Sequence, residues 1–135
     1  MGLSGREVDA AVEVLPLYGQ VEIGDSGAVE VPQWESGDEP AVASESMICV
    51  ATRSDADGKV RISVISDGLR APHGSEVFAG ELSLPSGVLV VGNSVAAQTE
   101  EVDLSPTRSI FVRVLVEPRE LPSEITVIVA WCLDR

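Results

Sequence analysis

Few side chains in this 135-residue chain could carry a reaction. His73 is the single histidine, so any Ser-His-Asp or Cys-His arrangement would have to use it. It stands in Asp67–Ser75 (DGLRAPHGS), a stretch punctuated by Pro and Gly that reads as a solvated loop. Cys49 and Cys132 each lie inside an apolar run, MICVA and VIVAWCL, and read as buried structural thiols. The chain has no second histidine for zinc, no CxxC, no Gly-x-Ser-x-Gly and no phosphate-binding glycine loop. Asp55-Ala56-Asp57-Gly58 has the opening of a calcium loop, but Lys59 and a strand follow where further oxygen ligands and a closing Glu belong. The adjacent acids Asp38/Glu39 and Glu100/Glu101 match a glycosidase pair in type only. A sugar cleft also needs exposed aromatics, and aromatics make up 4% of this chain. The expectation is a non-enzyme with no cofactor and no metal.

Charge says more than motif. Twenty-two acids against nine bases give a net charge of −13, which argues against binding nucleic acid, where affinity comes from Lys and Arg releasing phosphate counterions. The same balance disfavours anionic membrane surfaces, and no apolar run approaches the ~20 residues that span a bilayer. The N-terminus lacks a basic segment followed by an apolar one, so no signal peptide is expected, and a reduced, cytoplasmic protein is the default. Between Arg6 and Arg53 there is no Lys or Arg, while ten acids fall in that interval. This predicts an acidic pole, suited either to solubility or to a partner with a basic surface.

The elements that must position these charges read as strands. Valine dominates an apolar fraction of 44%, and β-branched side chains fit a pleated sheet better than a helix. Tyr18–Trp34 (YGQVEIGDSGAVEVPQW) alternates around Gly24–Gly27 and predicts a β-hairpin, Leu17–Ile23 with Ala28–Val31. Its apolar face would be Leu17, Val21, Ile23, Val29 and Val31. A second hairpin is expected from Ser46–Arg53 and Lys59–Ser66 across the Asp/Gly turn. Further strands are expected at Val77–Leu84, Val88–Val91, Ala96–Leu104, Ile110–Val116 and Ile125–Leu133, the last apolar on both faces and therefore central. Gly92-Asn93 reads as a bend or bulge. Eight or nine short strands with turn chemistry between them predict an all-β, single-domain antiparallel β-sandwich of jelly-roll-like form over residues 12–135, after a weakly ordered lead-in at 1–11.

Several short pieces resemble the competence-protein-J family, small β-rich proteins whose named member inhibits a DNA-entry nuclease. They are Tyr18-Gly19-Gln20-Val21-Glu22-Ile23, Trp34 after the hairpin, Ala41–Arg53, Phe78–Leu84, Gly87–Leu104 ending in Asp103-Leu104 before a Pro turn, and the strand closing at Glu117-Pro118. Gly19 departs from the pattern, standing where a bulkier residue is usual. The resemblance implies a non-enzymatic inhibitor or immunity-type protein.

Together these readings predict a module that docks an acidic face on a cationic protein, a nuclease being the implied class. Its candidate contacts are Glu22, Asp25, Glu30, Glu35, Asp38 and Glu39, with Tyr18 and Trp34 as apolar anchors, since aromatics carry much interface energy. Core packing is the competing role for both aromatics. One alternative is an assembly protein that forms homo-oligomers, favoured by the two-faced apolar strands Ser109–Val116 and Ile125–Leu133. Another is a sandwich that binds calcium or a small ligand.

Overall fold

The computed structural model describes residues 7–131. Cys132, and with it the question of whether the two cysteines approach each other, lies outside the described residues. Ten strands are present among them: β1 Asp9–Val14, β2 Gln20–Asp25, β3 Ala41–Ala43, β4 Met47–Ala51, β5 Val60–Ser66, β6 Ser75–Ser83, β7 Val88–Asn93, β8 Gln98–Asp103, β9 Ser109–Glu117 and β10 Glu124–Trp131. They form two five-stranded sheets packed face to face, a single all-β sandwich. Sheet 1 runs β1-β5-β10-β9-β6 and sheet 2 runs β3-β4-β2-β7-β8. All pairings are antiparallel except β5 with β10.

Alternation builds the core. Val21 and Ile23 of β2, Ile48 and Val50 of β4, and Leu89 and Val91 of β7 face Val60, Ile62 and Val64 of β5, Val112 and Val114 of β9, and Val127 and Val129 of β10. Each such side chain gains about 1.5–3 kcal/mol by leaving water. The central position expected for the last strand holds, since β10 lies mid-sheet. Its outer face and that of β9 are covered too: Leu69 of the 67–74 loop packs on Ile65, Leu115 and Ile128. That small cluster accounts for Ile65, Leu115 and Ile128 in the two-faced apolar pattern.

Neither expected hairpin forms. Leu17–Gly19 is a 3-10 turn, β2 continues through Gly24 to Asp25, and Ala28–Val31 is not a strand. The partners of β2 are β4 and β7, both distant in sequence. Gly24 is a glycine for closeness rather than for a turn: a Cβ there would lie 2.6 Å from the Ser46 carbonyl oxygen. The strands β4 and β5 sit close to their expected positions but on opposite sheets. Their apolar faces meet across the core instead of side by side, and alternation alone does not separate those two arrangements. The link between them is a 3-10 turn, Asp55–Asp57, whose first amides are capped by Ser54 Oγ accepting from Ala56 N at 3.0 Å. β1 begins at Asp9, within the segment read as a lead-in.

Candidate functional site

The two sheets carry charge unequally. On sheet 1 and its covering loop, Arg70 meets Asp9 at 3.2 Å, Arg113 meets Glu76 at 2.7 Å, and His73 meets Glu117 at 2.8 Å. None of the five strands of sheet 2 contains Lys or Arg, and neither does the connection from Ser26 to Ser46. The chain has two base-free intervals, Arg6 to Arg53 and Arg70 to Arg108. The first supplies β2, β3 and β4 and the second supplies β7 and β8, so sheet 2 is built wholly from base-free sequence, while the same intervals also supply β1 and β6 at the edges of sheet 1.

Residues paired across strands share a face, and Leu89 and Val91 point into the core. The outer face of β7 and β8 therefore presents Val90, Gly92, Thr99, Glu101 and Asp103. Beside them on β2 stand Gln20, Glu22 and Gly24. Glu22 lies opposite Gly92. Glu22 Oε1 accepts from Ser94 N at 3.2 Å and Ser94 Oγ at 2.8 Å. A shallow groove of about 200 Å³ runs here, lined by Glu22, Met47, Val90 and Thr99.

The segment after β2 folds back across this face as an irregular strap. Trp34 Nε1 donates to Gln20 Oε1 at 3.1 Å, Ser44 Oγ donates to the Glu30 carbonyl at 2.9 Å, and Pro32 is buried. Val29 and Val31, expected in the core, are 91% and 55% exposed, because the strand that would have turned them inward does not exist. Glu30, Glu35 and Asp38 are exposed along the strap. Trp34 is half-buried and pins it.

Three of the sequence-selected residues do different work from their neighbours. Asp25 is buried, and its carboxylate accepts from Ser86 N at 3.0 Å, Ser86 Oγ at 2.7 Å and Gly27 N at 2.8 Å, so it fastens loops rather than facing solvent. Glu39 accepts from the amides of Glu35, Ser36 and Gly37 at 2.9–3.1 Å. Backbone donors, its own amide first and then those of Ser36 and Glu35, hold its carboxyl down at about 2. Tyr18, which could have been core, is 83% exposed at the end of the sandwich. Among the described residues, no group of three or more His, Cys, Asp or Glu is placed to hold a metal ion.

Cys49 is opposite Glu22 on the outer side of β4 and 1% exposed. Burial first, and then the Glu22 charge, push its thiol up to about 11. Iodoacetamide at pH 8 should leave the Cys49 peptide unmodified over hours while labelling it within minutes in denaturant, read by mass spectrometry. The unfolded thiol titrates near 9, so the folded state binds the extra proton between those values. This contribution to stability is complete below pH 9 and is lost as pH rises towards 11.

No family model matches the sequence, and no curated protein matches it. Solved structures do. The crystal structure of ComJ, inhibitor of the DNA-degrading activity of NucA, from Bacillus subtilis, is similar with a TM-score of 0.69 over 92% of this chain and 95% of that one, at 11% identity. This chain has a ComJ-like fold. The product of crocagin biosynthetic gene J is similar at TM-score 0.51 and 10% identity, over 93% of this chain and 96% of that one. Identity this low carries the architecture and leaves the side chains to be argued from this structure alone. Among the described residues, no helix is long and apolar enough to cross a membrane.

Proposed function

We propose that this protein is a non-enzymatic inhibitor or immunity-type protein that lays the outer face of sheet 2 against a basic surface of a nuclease. The observation that carries the reading is that all five strands of sheet 2 come from base-free sequence, with Glu22, Glu101, Asp103 and the exposed strap acids Glu30, Glu35 and Asp38 on its solvent side. Its support from likeness is that ComJ inhibits a DNA-degrading protein. A nuclease must bind phosphates, so the surface it offers is basic, and an acidic face steers encounter with it and excludes wrong partners. The buried thiol of Cys49 fits a reducing, cytoplasmic setting.

The test is a DNA-degradation assay with NucA and with the DNA-degrading enzymes of the organism that encodes this chain. Cleavage by at least one should stop at micromolar protein. Changing Glu30, Glu35 and Glu101 together to Lys leaves the core untouched, as all three are exposed. It should slow association at least tenfold at low salt and flatten the dependence on salt. Undiminished cleavage by every enzyme would overturn the reading, and inhibition indifferent to the charge reversal would move the contact off this face.

A further inference from the structure

The acidic face stops at one end of the sandwich, and that end has a different character. Four connections meet there: Leu15–Gly19 between β1 and β2, Thr52–Lys59 between β4 and β5, Ser94–Ala97 between β7 and β8, and Pro118–Ser123 between β9 and β10. The registers place them together. Val14 pairs with Val60, Glu124 pairs with Arg61, Thr52 N donates to the Gly19 carbonyl, and Arg53 N donates to the Pro122 carbonyl. Among the described residues, the three non-glycine positions with left-handed backbone, Tyr18 at φ 66°, Ala97 at 57° and Leu121 at 52°, all belong to these connections. So do four of the exposed large apolar side chains: Leu15, Tyr18 at 83% exposure, Val95 at 59% and Leu121 at 66%.

The two features together are informative. A left-handed position is least costly as Gly or Asn, and an exposed position is least costly as a polar residue. At Tyr18 and Leu121 the chain carries a large apolar side chain that satisfies neither preference and that the fold does not bury. The turns are held firmly nonetheless. Asn93 is 1% exposed; its Nδ2 donates to the Leu17 and Gln20 carbonyls at 3.0 Å, and its Oδ1 accepts from Ala96 N at 3.0 Å. Gln98 Oε1 accepts from Leu15 N at 2.7 Å. Beside Leu121 a groove of about 470 Å³ opens between the sheets, walled by Pro40, Val77 and Val116.

We infer that this loop end is the apolar anchor of the same interface: Tyr18, Val95 and Leu121 seat on the basic partner that the outer face of sheet 2 attracts. The inference rests on that reading of sheet 2. What commits it to the basic partner is continuity of charge with apolar surface, because Glu22 of the acidic face is bonded to Ser94 at the root of the Val95 turn. Acids set the encounter and its salt dependence, and the rigid apolar end sets how slowly the complex comes apart.

Tyr18→Gly with Leu121→Gly gives the test, since glycine adopts both backbone conformations without strain. The pair should keep or raise the melting midpoint, weaken inhibition of the susceptible nuclease at least about a hundredfold through faster dissociation, and leave the salt slope unchanged. Inhibition by the pair equal to wild type overturns the inference while leaving the sheet 2 reading intact. Wild type inhibiting no nuclease overturns both. A wild-type dimer in light scattering that the pair converts to monomer assigns the surface to a second copy and overturns the inference.

Discussion

Asp25→Ala should lower the unfolding free energy by about 3 kcal/mol, and the melting midpoint by about 10 °C. Asp25 is 5% exposed, and its carboxylate takes three donors from two loops, Gly27 on one side and the amide and hydroxyl of Ser86 on the other. Hydrogen bonds to a charged acceptor contribute about 1.5–3 kcal/mol each, and the sum is discounted because Ser86 and Gly27 are exposed and their freed amides can take water. Asp25 also marks where β2 ends and the strap begins, with Ala28 N donating to its carbonyl at 3.0 Å. Asp25→Asn keeps an acceptor for Ser86 and loses the second oxygen that Gly27 needs, so its loss should be intermediate. Thermal unfolding by circular dichroism checks both. Nuclease inhibition, measured where each variant is fully folded, should match wild type. A variant of unchanged midpoint and weakened inhibition would return Asp25 to the contact surface.

The contrast between Asp25 and Glu30 shows what the sequence could and could not disclose. Both are acids in one base-free interval, and composition treats them alike. The sandwich itself was legible, because Val60, Ile62 and Val64 alternate with Arg61 and Ser63, and Val127–Trp131 is apolar throughout. Strand pairing was not. A period of two says which face is buried and nothing about which strand lies alongside, so β4 and β5 read as a hairpin although they oppose each other across the core. Gly24 and Gly27 suggested a turn by type, whereas Gly24 answers to the close approach of Ser46. The acidic face was visible in part, as Glu101 and Asp103 stand close together in the sequence. Placing them beside Glu22 required the β2-β7-β8 order. The apolar end left no periodic signal at all, because Tyr18, Val95 and Leu121 lie in three separate turns.

Gly92→Ala should be the most damaging single-methyl change on the candidate face, costing about 3 kcal/mol or more. Gly92 has φ 141°, a conformation L side chains rarely adopt, and an added Cβ would lie 2.2 Å from the Gln98 carbonyl oxygen and 2.8 Å from Thr99 Cα. Both obstacles are backbone atoms of β8, so no rotamer change relieves them; β8 must shift or the β7–β8 ladder must open. Three consequences follow from what β8 and its neighbours hold. Glu101 and Asp103 leave their register beside β7, Ser94 in the shifted β7–β8 turn moves off Glu22, and Gln98 moves off Leu15 N. Hydrogen exchange should therefore show loss of protection concentrated in β7, β8 and the Leu15–Gly19 turn, with β9 and β10 protected until global unfolding. A midpoint within about 2 °C of wild type would mean that β8 does not pair with β7 in this register, and the convergence of acids from the two base-free intervals would go with it.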